Sequence, residues 1–261
     1  MQTLLKITSG ILCAGLTLAS NAASAGVHVN AGASVSDIQF NVVDLTPGDG
    51  QAAGFVSRFD FGFMGSSIET PAPANDLKNQ EHFDRGPFTT HVSDDFSDTS
   101  ASVDGVWGAG TTQLQVDAQR GQPRAVNSFS GSLFDLAIQP HTALSISGHA
   151  AGWANKSGGY TSPEFTAFGN VYVSLTNNFA PPYGLLTLFT KTASINRLAN
   201  EPGFSDDFLL FYSNTSDSVQ SVKLNVSWGT GANALSAVPE PASYAMLGAG
   251  LLLLGAIRRK A

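Results

Sequence analysis

Period-two alternation of apolar residues is the feature that most limits what this chain can become. Ile38, Phe40 and Val42 alternate with polar neighbours, and Phe55, Phe59, Phe61 and Phe63 share one parity. Leu114 and Val116 alternate briefly, and Phe134, Leu136 and Ile138 lead toward Leu144 and Ile146. The longest run is Phe165, Ala167, Gly169, Val171, Val173 and Leu175, and the last is Val222, Leu224, Val226 and Trp228. Such runs mark half-buried strands, because side chains alternate between the faces of a sheet. Around Leu185 to Phe189 both parities are apolar, which predicts two covered faces. Turn clusters interrupt the runs: Thr46-Pro47-Gly48-Asp49-Gly50, Pro71-Ala72-Pro73, Ser157-Gly158-Gly159 and Pro181-Pro182-Tyr183-Gly184. No stretch of this block has a 3.6-residue apolar period with caps.

Residues 26–236 therefore read as one all-β domain, a single β-sandwich or jelly-roll-like fold of roughly eight to eleven strands. A β-helix would need a fixed short period, and none is present. One internal echo stands out. Ser93-Asp94-Asp95-Phe96 recurs as Ser205-Asp206-Asp207-Phe208, and Ser97–Val103 resembles Ser213–Val219. It reads either as a repeated hairpin or as chance in a Ser/Asp-rich chain.

The two ends differ from this block. Lys6 precedes an apolar run from Ile7 to Leu18, and Ala23-Ser24-Ala25 supplies small residues at the −3 and −1 positions of a cleavage site. Residues 1–25 thus read as a secretory signal peptide handled by the Sec machinery, with Ala23 and Ala25 fixing the cut. The lone Cys13 lies inside it. Leu12 before Cys13 argues against a lipoprotein. The mature chain would then hold no cysteine, hence no disulfide and no Cys-based zinc site. At the other end stand Val238-Pro239-Glu240-Pro241, an apolar run from Tyr244 to Ile257, and Arg258-Arg259-Lys260. The run is short against the about 20 residues of a stable span. The basic cluster would keep the terminus cytoplasmic and place the rest outside.

This C-terminal arrangement resembles the PEP-CTERM sorting signal of Gram-negative bacteria. The match rests on Val238, Pro239, Glu240 and Pro241, the apolar stretch that would form a short transmembrane helix, and Arg258, Arg259 and Lys260. The resemblance implies an inner-membrane intermediate, processing by a membrane-embedded exosortase at or near the motif, and delivery to the cell envelope, surface or matrix. Such proteins usually accompany exopolysaccharide and biofilm production, and the same segment occurs on some ice-binding proteins. The resemblance is confined to 237–261 and assigns no functional residue in 26–236.

Charge narrows the partners. The chain has 13 Lys+Arg and 20 Asp+Glu. Setting aside Lys6, Arg258, Arg259, Lys260 and Glu240 leaves nine basic and 19 acidic residues in 26–236, a formal charge of −10. A nucleic-acid partner would need a basic face, so none is expected.

Candidate chemistry concentrates between Glu81 and Asp104, with His82, Asp84, His91, Asp94, Asp95, Asp98 and Asp104. Asp94, Asp95 and Asp98 are the candidate calcium ligands, since calcium takes six to eight oxygens. The alternative is a solvated acidic loop that guards a sheet edge. His82 and His91 with Asp84 or Asp94 would be a zinc set, but no His-Glu-x-x-His spacing supports it. His141 after Pro140 suits a turn. No Gly-x-Ser-x-Gly elbow exists, and no local pattern selects a Ser–His–Asp triad. Asp60, Glu69, Glu164 and Glu201 are the carboxylates available for a glycosidase pair. Trp107, Trp153, Tyr160 and Tyr183 fall near turns; they read as rings for stacking on sugars or as lids on the core.

The expectation is a non-enzymatic, exported surface or matrix protein with a structural or adhesive, exopolysaccharide-associated role and no cofactor unless calcium. The rivals are a carbohydrate-active hydrolase, a calcium-dependent adhesin and an ice-binding protein.

Overall fold

The computed structural model describes residues 27–70, 76–83, 87–104, 107, 109–117, 124–158, 165–177, 184–196, 200–201 and 203–234. The expected signal peptide, the Pro239-Glu240-Pro241 segment, its following helix and the basic tail lie outside these residues. Among the described residues no helix is long and apolar enough to cross a membrane.

Among the described residues thirteen strands follow one another: β1 (Val27–Asp44), β2 (Phe55–Thr70), β3 (Asp76–His82), β4 (Phe88–Ser93), β5 (Ser97–Asp104), β6 (Ala109–Asp117), β7 (Arg124–Ile138), β8 (Thr142–Gly158), β9 (Phe165–Asn177), β10 (Leu185–Ile195), β11 (Asn200–Glu201), β12 (Gly203–Asn214) and β13 (Gln220–Ala234). They exceed the eight to eleven expected. β3, β4, β5 and β12 carry little apolar alternation, because they lie at or beside sheet edges where one covered face is enough.

All pairings are antiparallel and build two sheets. The six-stranded sheet runs β12-β8-β1-β6-β5-β4, and the seven-stranded sheet runs β11-β10-β9-β13-β7-β2-β3. Seven of the twelve connections between successive strands change sheet. The expected Phe134–Ile146 stretch is one of them. Its three-residue link, Gln139–His141, carries the chain across the sandwich rather than closing a hairpin. His141 adopts a φ of 50° there and its Nε2 meets Asp217 at 2.8 Å.

The inner faces meet in two apolar clusters. Leu136, Leu144, Ile146, Val173, Leu175, Leu210 and Leu224 anchor one, and Val29, Ile68, Val116, Val126 and Ile195 anchor the other. Each such buried side chain contributes about 1.5–3 kcal/mol relative to exposure. Between the clusters the backbones nearly touch: a Cβ on Gly169 would lie 2.1 Å from the carbonyl oxygen of Gly32. Only glycine fits this pinch. A buried hydroxyl chain crosses the interior nearby, with Ser66 Oγ 2.7 Å from Thr90 Oγ1 and 3.1 Å from Ser128 Oγ.

One expectation needs correction. Phe55, Phe59, Phe61 and Phe63 do not share a face. The β2–β7 register shifts between Phe59 and Phe61, so Asp60 is the extra residue of a β-bulge. One inserted residue exchanges the faces of everything beyond it. Phe55 and Phe59 pack on the first cluster, whereas Phe61 is 47% exposed. Lys223 Nζ pins the bulge, reaching Asp60 at 2.7 Å and Asp135 at 3.3 Å. That hydrogen bond, with the Lys223 charge, holds the Asp60 carboxyl below its ordinary value.

The echo is also corrected. Asp94–Phe96 turns between β4 and β5, whereas Ser205–Phe208 lies within β12; Ser97–Val103 is in β5, whereas residues 215–219 turn between β12 and β13. The two copies have different structures, so the likeness is not a repeated hairpin.

Candidate functional site

The outer face of the six-stranded sheet holds a groove of about 390 Å³. Register builds it from two cross-strand rows. Asn155, Asn30, Gln115 and Asp98 stand side by side on β8, β1, β6 and β5. In the next row Trp153, Gly32, Gln113 and Ser100 occupy the same four strands. Alternation dictates this: Val29, Ala31 and Ala33 of β1 point into the core, so Asn30 and Gly32 point out.

Gly32 decides the position of the ring. A Cβ there would lie 1.9 Å from Trp153 Cζ2. The indole therefore lies flat across β1, half-buried, in place of a side chain from that strand. It forms a wall of the groove, with amides ranged beside it. Each Asn or Gln amide both donates and accepts hydrogen bonds. Asp98 contributes the one carboxylate and is held by His91, whose Nε2 is 2.9 Å away on β4. The surface is thus an aromatic plate edged by neutral polar groups.

Asp94, Asp95 and Asp98 are not gathered around one point. Asp94 turns back toward the interior, where Arg124 of the opposite sheet pairs with its carboxylate. The Asp94 carboxylate also accepts the Phe96 N–H at 2.9 Å, closing an Asx turn. Desolvation raises its pKa, but the Phe96 N–H and the Arg124 guanidinium outweigh this and hold it below the ordinary carboxylate value. Asp98 points out to His91, and Asp95 is exposed. Among the described residues no group of three His, Cys, Asp or Glu side chains could hold a metal ion. His82 lies against Phe88, with ring centroids 3.7 Å apart, away from the His91–Asp98 pair; Asp84 lies outside the described residues.

The carboxylates considered for glycoside cleavage are also apart. Glu69 of β2 and Glu201 of β11 are separated by five strand spacings, about 24 Å at about 4.8 Å each. A pair would need to approach within about 10 Å. Asp60 is committed to Lys223, and Glu164 lies outside the described residues. Of the four aromatics, Trp107 packs into the core, 4.2 Å from the Phe40 ring and 5.4 Å from that of Phe134. Trp153 sits on a strand, not a turn, and faces out. Tyr160 and Tyr183 lie outside the described residues. Sequence reasoning missed Asn30, Gln113, Gln115 and Asn155. Their common outward parity is visible in the sequence, but their adjacency requires the strand order.

Comparison with known proteins adds an address. Among curated proteins none matches the chain. One solved structure, from work on the promiscuous specificity of carbohydrate-binding modules of the β-sandwich superfamily, is 6% identical. It aligns over 78% of this chain and 98% of its own at a TM-score of 0.11, which carries no likeness of fold. The family model of the PEP-CTERM protein-sorting motif matches residues 237–260, the same segment singled out by Val238-Pro239-Glu240-Pro241 and the terminal basic cluster. The chain therefore carries a PEP-CTERM protein-sorting motif at its C-terminus, the mark of an exported protein sorted by an exosortase to the cell envelope or surface.

Proposed function

We propose that this exosortase-sorted protein is a structural or adhesive component of the cell surface or extracellular matrix, and that it holds a neutral polysaccharide in the Trp153 groove. The observation that carries this reading is the indole laid over Gly32 between the Asn30–Asn155 and Gln113–Gln115 amides. A sugar ring has an apolar C–H face and a rim of hydroxyls. The indole offers the first a flat apolar partner. The amides offer the second paired donors and acceptors, the few oriented polar groups that give such sites specificity. The groove is open to solvent along the sheet, which suits a chain rather than an end group. Asp98 is the one charged side chain lining the groove and the other polar groups are neutral, which suits a neutral polymer rather than a polyanion.

The test is retention of the purified protein on immobilised exopolysaccharide from the producing organism, beside neutral and acidic reference polymers. Wild type is expected to be retained on the neutral polymer in calcium and in chelator alike. Trp153→Ala uncovers Gly32 and should lower the melting temperature, and retention should fall at least tenfold at a temperature where the variant is still folded. Equal retention of wild type and Trp153→Ala would overturn the assignment.

A further inference from the structure

The same outer face continues from the groove toward the edge strand β12, where three side chains meet that no sequence pattern brought together. Asp207 stands opposite His149 in the β12–β8 register, and Ser205 stands opposite Ala151. His149 Nδ1 is 2.8 Å from Asp207 Oδ1, and its Nε2 is 3.0 Å from Ser205 Oγ. The order is chemically specific. A carboxylate at Nδ1 keeps the neutral ring's proton on that nitrogen, so Nε2 accepts the Ser205 hydroxyl proton. Ser205 is exposed on a strand that ends its sheet, so its Oγ is open to a reactant.

A depression of about 330 Å³ adjoins the ring, walled by His149, Asp207 and Gln39 and floored at Gly148. The β1 strand bulges beside it between Ser36 and Gln39, with Asp37 in the left-handed region at a φ of 55°. Bulges and left-handed non-glycine residues are devices that re-aim side chains at working sites. The bulge leaves Gln39 facing the depression, on the side of His149 away from Ser205.

We propose that Ser205 and His149 are a nucleophile and its general base, with Asp207 as positioning residue, and that they cleave small acyl esters. Ser205 Oγ bonds to the acyl carbon as its proton passes to His149 Nε2. The ester C–O bond then breaks, and Nε2 returns the proton to the departing alkoxide, leaving an acyl-serine. Water attacks the acyl carbon, gives a proton to Nε2, and the C–Oγ bond breaks. The carboxylic acid departs and the Nε2 proton returns to Ser205. This activity departs from the non-enzymatic expectation and does not depend on glycan binding.

The test uses 4-nitrophenyl acetate with the purified protein, and mass spectrometry after treatment with a fluorophosphonate. Wild type should turn over the ester at least tenfold faster than Ser205→Ala or His149→Ala, and the phosphonate should appear on the Ser205 peptide. Asp207 and Asp37 are the charged groups facing His149, while Asp206 turns inward to Lys191. Asp207→Asn should lower kcat with KM unchanged, and Asp207→Glu should restore part of the loss; a merely structural Asp207 would not give this split. Val56→Ala, an exposed change on the seven-stranded sheet and outside both sites, should keep wild-type turnover. Ser205→Ala is an exposed, near-isosteric change, and its melting curve checks the fold. Wild-type turnover equal to that of Ser205→Ala, with no label on Ser205 of the folded protein, overturns the proposal.

Discussion

The two outer faces of the sandwich use the same device for opposite ends. On the six-stranded sheet, Trp153 lies over Gly32 and its surroundings are amides and hydroxyls. On the seven-stranded sheet, Phe63 lies over Gly131, Phe129 over Gly65 and Phe168 over Gly231, with hypothetical Cβ contacts of 2.5 to 2.6 Å. Each ring covers the strand beside it where a side chain is missing, the aromatic rescue of a glycine in a sheet. Phe61, Phe63 and Phe83 continue the second face as a stack with centroids 6.0 and 6.2 Å apart. The lesson is that a ring over glycine is a packing unit. Whether it also marks a site depends on the polar groups around it: Asn127 and Asn170 stand beside Phe168 and Phe129 on the second face, whereas on the first four amides line a groove with Trp153.

The largest expected effect concerns the turn that separates the inner and outer aspartates. Arg124→Ala leaves the Asp94 carboxylate without its partner in a mostly buried setting, and should cost about 3 kcal/mol in denaturant unfolding. Adding Asp94→Asn should recover part of this, and simple additivity would show that the pair does not act together.

Glycine substitutions address the faces directly. Gly32→Val should push Trp153 off β1 and abolish glycan retention. Gly131→Val should displace Phe63 and leave retention intact. Both should cost about 1–3 kcal/mol by overpacking. Loss of retention in both variants would mean that stability, not the ring, controls binding.

Replacing Phe61 and Phe63 by Ala removes the stacked pairs with each other, Phe83 and Phe129. Each pair contributes about 1 kcal/mol. The expected result is a lower melting temperature with unchanged retention. Reduced retention would move the binding surface to the seven-stranded sheet.

Acid provides a smaller test. Asp94 and Asp60 both titrate below their ordinary value in the fold. Their stabilisation is therefore present above the unfolded value, about 3.9, and is lost as pH falls through the lower folded values. Melting temperature measured from neutral pH downward should decline less steeply in Arg124→Ala than in wild type. The smallest effect is expected from chelator, which should leave the melting temperature unchanged, since Asp94 faces Arg124 and Asp98 faces His91. A fall would restore the Asp94, Asp95 and Asp98 calcium reading.

Much of the fold was legible because alternation is a local property. The runs at Phe165–Leu175 and Val222–Trp228 lie in β9 and β13, and each buries the predicted parity. The Phe55–Phe63 run misled for a physical reason. A bulge adds one residue without any local signature, and Asp60 looks like an ordinary outward residue until Lys223 is brought 163 positions along the chain to hold it. The sites were less legible. In the sequence Trp153 is an aromatic near a turn cluster, and nothing beside it names Gly32, Gln113 or Gln115 as its neighbours. The Ser205-Asp206-Asp207 segment echoes Ser93-Asp94-Asp95 in the sequence, and its meeting with His149 arises only because β12 pairs with β8.

By itself the sequence determined the address and the material. Proline, glutamate, an apolar run and a basic end are contiguous, so the sorting motif needs no fold to be recognised, and period-two alternation commits the middle to sheets. Tertiary structure alone decided which outward side chains become neighbours. Seven of the twelve connections change sheet, so strands adjacent in space are often far apart in sequence. Binding and catalysis depend on groups within a few ångströms of one another, and in this sandwich that proximity is set by strand order, register and one inserted residue.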